Sequence, residues 1–124
     1  MTAETEPRSG LVVGFDFSES GWDTQIEATL NAIARLKMGG GVLDRDLTAP
    51  PGSESAGDAY IVGPSATGDW AGLDDAIVVY TAADTFVTYD SIPDGFGIYI
   101  LDEDVYSVYK SGSGWSDGVA HSWT

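Results

Sequence analysis

The chain has 124 residues, contains no cysteine, and carries 20 acidic against 5 basic residues, for a formal net charge of −15. Such a charge repels nucleic-acid phosphates and anionic lipid, so we expect no binding to DNA, RNA or a lipid surface. Disulfides and thiolate metal sites are excluded, and no apolar run of about 18 residues is present that would predict a membrane-spanning helix.

Residues 1–21 are predicted to form an extended docking arm, because they are polar and irregular apart from one short apolar patch. The patch is either an edge strand of the protein's own sheet or an arm that becomes ordered on a partner. Its large apolar residues are Leu11, Val12, Val13, Phe15 and Phe17. The first residues lack the basic-then-apolar order of a secretion signal, so we expect synthesis in a cytoplasm.

One helix is predicted over residues 24–38, within a segment 22–41 that ends in glycines. Thr24 and Glu27 have the spacing of a capping box at the start of a helix. Three consecutive glycines from Gly39 predict an abrupt end.

The helix carries a stripe of apolar residues, Ile26, Leu30 and Ile33, which recur at the spacing of one helix face. In one interpretation this face packs on the protein's own sheet. In the other it is the seam of a short parallel bundle between identical chains. A bundle of about two heptads is not stable alone, so the rest of the chain would have to contribute to it.

Residues 42–124 are predicted to form a small antiparallel β-sandwich or barrel-like domain, which makes the fold mainly β. Short runs rich in Val, Ile, Tyr and Phe alternate with turn clusters at about 8–12-residue spacing. The run 76–81 is apolar on both faces, which favours a central strand or contact with a neighbouring chain. The predicted strands are residues 42–47, 59–62, 76–81, 85–89, 96–101, 105–110 and 119–123.

No pattern of catalytic residues is recognised, so the sequence favours a protein that is not an enzyme and has no cofactor. His121 is the only histidine, and no G-x-S-x-G motif is present. The loops hold pairs of acids, Asp44 with Asp46, Asp90 with Asp94, and Asp102 with Asp104. None matches the twelve-residue calcium loop, so no metal site is predicted, although a loose calcium site between loops or chains is left open.

Tryptophans lie in or beside Gly/Ser-rich loops of the predicted β domain. Trp70 and Trp115 are the candidate receptor contacts, because exposed loop aromatics commonly bind partner proteins or sugar rings. The alternative is that these side chains close the ends of a small β core.

Several segments together resemble a family of short domains of unknown function from phages, prophages and gene transfer agents. The resemblance covers residues 22–116. It is carried by Leu30-Asn31-Ala32, Leu47-Thr-Ala-Pro-Pro51, Gly57-Asp-Ala-Tyr-Ile-Val-Gly63, Ala66-Thr-Gly-Asp-Trp-Ala-Gly72, Gly95-Phe96, Asp102-Glu103 and Gly114-Trp115.

The resemblance implies a virion structural protein associated with tail fibres or other surface appendages, which are commonly homotrimers. We therefore expect a non-enzymatic phage structural protein on the virion surface. It would be a tail fibre, baseplate element or head decoration, and would assemble with itself as a trimer and with other phage proteins. The alternative is a host-receptor or glycan-binding module of the virion.

Overall fold

The computed structural model describes residues 4–5, 12–13, 22–38 and 40–120. The chain divides into two compact units, Met1–Gly39 and Gly40–Thr124. Among the described residues, no helix is long and apolar enough to cross a lipid bilayer.

The first unit contains a two-residue antiparallel ladder and the helix. The ladder joins β1 (Glu4–Thr5) to β2 (Val12–Val13), and α1 (Trp22–Ile33) is followed by a π-helical turn, Ala34–Met38. The prediction of a capping box was wrong, because the helix begins at Trp22 and Thr24 lies inside it.

Only part of the predicted docking arm lies within the described residues. Val12 and Val13 lie in β2 and pair with β1, and α1 lies against β2. Leu11, Phe15 and Phe17 lie outside the described residues.

The second unit contains two antiparallel sheets, which confirms the mainly β fold. Within residues 40–120 the sheets do not close into a barrel. The first sheet has the order β3-β4-β5, formed by Ala59–Ile61, Ile77–Ala82 and Thr85–Tyr89. In the second, β7 (Val105–Lys110) pairs with β6 (Gly97–Ile100) on one side and with β8 (Gly114–Trp115) and β9 (Val119–Ala120) on the other.

The core lies mainly around β4, the central strand of the first sheet. Its residues Ile77, Val78, Val79 and Tyr80 are all buried, so both faces of this strand are covered. This confirms the first of the two interpretations of a run that is apolar on both faces. Burial on both sides is the environment in which such a run is most stable.

The prediction of a regular strand over residues 42–47 was wrong, because the segment bonds to two different strands. Val42 donates to the Tyr99 carbonyl at 2.9 Å and makes a single parallel bridge to β6. Leu43 instead donates to the Ala59 carbonyl at 2.8 Å, and the Asp44 carbonyl accepts from Ile61 at 3.1 Å. The segment therefore connects the edges of β3 and β6 instead of extending one ladder.

Gly41 permits this close approach to β6. A Cβ atom built on Gly41 would lie 2.5 Å from the carbonyl oxygen of Tyr99. Any larger residue would push the linking segment away from the second sheet.

Candidate functional site

The predicted oligomer seam lies on α1 and has an exposed centre. Leu30 is 60 % exposed, while Ile26 and Ile33 are half-buried. Leu30, at the centre of the stripe, is therefore the part of this helix face that association with another chain would cover. The seam and the trimer remain predictions.

The prediction of Trp70 as an exposed loop aromatic was wrong. The side chain is completely buried, although a short 3₁₀ turn, Gly68–Trp70, delivers it from a loop. Its ring packs on Tyr60 with the centroids 5.6 Å apart, and its Nε1 donates to the Tyr80 hydroxyl at 3.2 Å. Trp70 therefore closes the core, which was the alternative interpretation of the loop tryptophans.

Trp115 is half-buried and contacts two other rings. Its centroid lies 5.3 Å from that of Tyr109 and 6.3 Å from that of Phe96. Its Nε1 donates to the Asp75 carbonyl at 2.9 Å, so the indole N–H is already used within the second unit. Its role as a receptor contact remains a prediction.

An acidic corner is formed where the linking segment meets the turn between β6 and β7. One carboxylate oxygen each from Asp44, Asp46 and Asp102 lies within 4.8 Å of the others. Hard cations such as Ca²⁺ take carboxylate oxygens as ligands, so these three side chains are the described group with which the chain could hold such an ion. The sequence placed them in separate pairs, and the bridge from Val42 to β6 brings the pairs together.

Burial and neighbouring carboxylates both disfavour the negative charge of Asp102. Burial raises the pKa of this carboxyl, and the nearby negative charges of Asp44, Glu103 and Asp46 raise it further. The acidic corner is therefore a place where negative charge costs stability.

Arg45 lies next to the acidic corner but donates its hydrogen bonds to acceptors outside the three carboxylates of that corner. Its Nε and Nη2 donate to the two carboxylate oxygens of Glu103 at 2.9 and 2.8 Å. Its Nη1 donates to the Ser116 carbonyl at 2.6 Å and its Nη2 to the Asp117 carbonyl at 3.0 Å. The bidentate pair lowers the pKa of Glu103 and raises that of Arg45. Arg45 thus ties three loops of the second unit together.

The outward side of the second sheet carries five exposed or half-buried residues that we call the tyrosine face: Gly97, Tyr99, Tyr106, Val108 and Val119. Tyr106 on β7 lies directly opposite Tyr99 on β6 and Val119 on β9, and Gly97 lies opposite Val108. Residues that face each other across strands project from the same side of a sheet. Tyr106 is 44 % exposed and Val119 70 % exposed, so this side of the sheet is open.

The ring of Tyr106 occupies the space that the absence of a side chain at Gly97 leaves open. A Cβ atom built on Gly97 would collide with Cε1, Cζ and the hydroxyl of Tyr106. At the same face, the Tyr99 hydroxyl donates to Asp104 Oδ1 at 3.0 Å. The tyrosine face therefore combines the ring of Tyr106 with a hydroxyl and a carboxylate beside it.

Sequence reasoning missed the tyrosine face because β7 reads as apolar on both sides. The structure shows which side of β7 faces inward, because Ser107, between Tyr106 and Val108, is buried. The register that places Gly97 beneath Tyr106 depends on pairing between strands, which a single sequence does not display.

A family model described as a protein of unknown function, DUF2793, matches residues 29–116, which is well over half of the chain. The match includes the end of α1, the acidic corner and the tyrosine face except Val119. The predicted resemblance to a domain of unknown function is thereby confirmed, and its link to phage particles stays a prediction. Comparisons with curated proteins and with solved structures found no match.

Proposed function

The chain belongs to the DUF2793 family of proteins of unknown function, and we propose that it is a non-enzymatic structural protein of a bacteriophage particle. In this proposal it is a surface appendage, such as a tail fibre, baseplate element or head decoration. It assembles as a trimer and contacts other structural proteins of the particle.

The observation that carries the proposal is the exposure of Leu30 at the centre of the helical stripe. A helix of 12 residues is marginal in water unless its apolar face is packed against something. Burying a leucine fully contributes about 1.5–3 kcal/mol, and each copy of the chain would bring one to a shared seam. Association of identical chains through Ile26, Leu30 and Ile33 adds to the packing that the helix already has against β2.

The charge of the chain supports the same role. A net charge of −15 keeps a protein that is displayed in many copies soluble and prevents non-specific association. The same charge makes copies repel one another, so the trimer should be tighter at high ionic strength, where the repulsion is screened.

The trimer predicts that Leu30→Glu separates the chains. Wild-type protein should sediment as three times the 13.0 kDa chain mass. Leu30→Glu should sediment as a single chain, because it places three carboxylates in the seam. Ala28→Glu, an equally charged change at an exposed position of the same helix, should leave the trimer intact. A wild-type protein that remains a single chain at every concentration and salt level would contradict the trimer.

Labelling of particles tests the location of the protein. Particles purified from cells that encode the chain should bind gold-labelled antibodies against it at their surface in electron micrographs. Particles from cells in which the coding sequence is deleted should carry no label and show the matching appendage missing. Label confined to the cell debris, with unlabelled particles, would overturn the proposal.

A receptor-binding role is the second candidate, and the exposed tyrosine face favours it. Tyr106 and Val119 are cross-strand neighbours and are 44 % and 70 % exposed, and adjoining exposed apolar side chains are typical of contact sites. This candidate is compatible with a structural role, because an appendage on a particle surface is placed to meet the host.

A further inference from the structure

We infer that the tyrosine face of the second sheet binds a neutral saccharide, with the ring of Tyr106 as its stacking surface. The inference rests on the receptor-binding candidate and names its ligand class. It does not depend on trimer assembly, because the tyrosine face lies in the second unit whereas the predicted seam lies on α1.

The ring of Tyr106 lies over Gly97 and is partly exposed. Cε1, Cζ and the hydroxyl of Tyr106 lie over the bare backbone of Gly97, while 44 % of the residue remains exposed. A ring that is already held in place loses little conformational freedom when a ligand stacks on it. Val119 lies beside the ring on β9 and enlarges the apolar surface.

The aromatic ring of Tyr106 is electrostatically complementary to the apolar side of a sugar ring. The face of an aromatic ring is negative, so it attracts the weakly positive C–H groups on the apolar side of a sugar. The hydroxyls at the rim of the sugar then need hydrogen-bond partners. The exposed Asp104 carboxylate, whose Oδ1 accepts from the Tyr99 hydroxyl at 3.0 Å, supplies acceptors for these sugar hydroxyls at the same face.

The tyrosine face is small, so it fits a small ligand better than a protein. Five residues form it, and one of them is a glycine. A stable protein–protein interface takes about 20–30 residues from each side.

The negative charge of the chain restricts the kind of saccharide that the tyrosine face can bind. The chain carries −15, and Asp104 lies at the face itself, so an acidic saccharide would be repelled. The saccharide should therefore be uncharged, as in a neutral surface polysaccharide.

An array of neutral and acidic oligosaccharides, probed with the full-length chain, tests the inference. Wild-type protein should bind one or more neutral members. Tyr106→Ala should bind them about tenfold more weakly, since it removes the stacking surface. Tyr106→Phe should bind nearly as well as the wild type because it keeps the ring.

Gly97→Ala provides a second variant that keeps every polar group of the tyrosine face. Its new methyl group occupies the place of the Tyr106 ring, so the ring must turn away and binding should fall as it does in Tyr106→Ala. Circular dichroism of each variant should report the wild-type β content, which separates loss of binding from loss of folding.

Three results would overturn the inference: no saccharide bound by the wild type, binding only to acidic saccharides, or binding that Tyr106→Ala leaves unchanged. A trimer on labelled particles that binds no saccharide would remove this inference alone. Saccharide binding by a protein that is not found on particles would remove the structural proposal alone.

Discussion

Replacing Trp70 by alanine is expected to lower the free energy of unfolding by about 3–5 kcal/mol. The indole is completely buried against Tyr60 and Val78, so its removal leaves a cavity in the core of the first sheet. Because small domains are stable by only about 5–15 kcal/mol, this single change should leave the variant marginally folded. Urea denaturation followed by circular dichroism measures the difference.

Tyr80→Phe is the matched control for Trp70→Ala. It removes only the hydroxyl that accepts the indole N–H at 3.2 Å, and the ring remains. The cost should be about 0.5–1.5 kcal/mol, plus a contribution from the buried N–H that is left without a partner. A Trp70→Ala variant as stable as Tyr80→Phe would contradict the packing of the indole ring in the core.

Replacing Arg45 by methionine is expected to lower the free energy of unfolding by about 2–3 kcal/mol at neutral pH. Methionine keeps the apolar length of the side chain but leaves the Glu103 carboxylate and the Ser116 and Asp117 carbonyls without their donor. The pair is partly shielded from water, with side chains 17 % and 29 % exposed, so solvent screens it less than a surface pair.

The effect of Arg45→Met should decrease in acid. Because the pair holds the pKa of Glu103 below its ordinary value of 4.5, its contribution is fully present above that value. The contribution is lost as pH falls through the lower pKa of the folded protein. The difference in stability between wild type and variant should therefore be largest at neutral pH and smaller in acid, where the bonds to the two carbonyls remain.

Lys110→Met is the matched control for Arg45→Met. It removes the same charge from an exposed position at the end of β7. We expect a change of stability below about 0.5 kcal/mol at either pH. Equal destabilisation by the two variants would show that net charge, and not the contacts of Arg45, accounts for the effect.

The sequence by itself determined the mainly β fold and the position of its central strand. Runs of Val, Ile, Tyr and Phe separated by turn residues follow local preferences, so β4 and β7 were predicted within one residue of their bounds. The helix was also predicted, but its first residue was not. The capping-box spacing predicts a start at Thr24, whereas the helix begins at Trp22.

Only the tertiary structure decided which side chains meet. Trp70 looked like a loop aromatic, since the 3₁₀ turn that buries it has no periodic pattern. Asp102 joins Asp44 because one parallel bridge aligns two segments that are far apart in the chain. Tyr106 lies on Gly97 because of the register between β6 and β7. Local propensity acts over a few neighbouring residues, whereas these contacts depend on pairing between distant segments, and that pairing is settled only when the whole core packs.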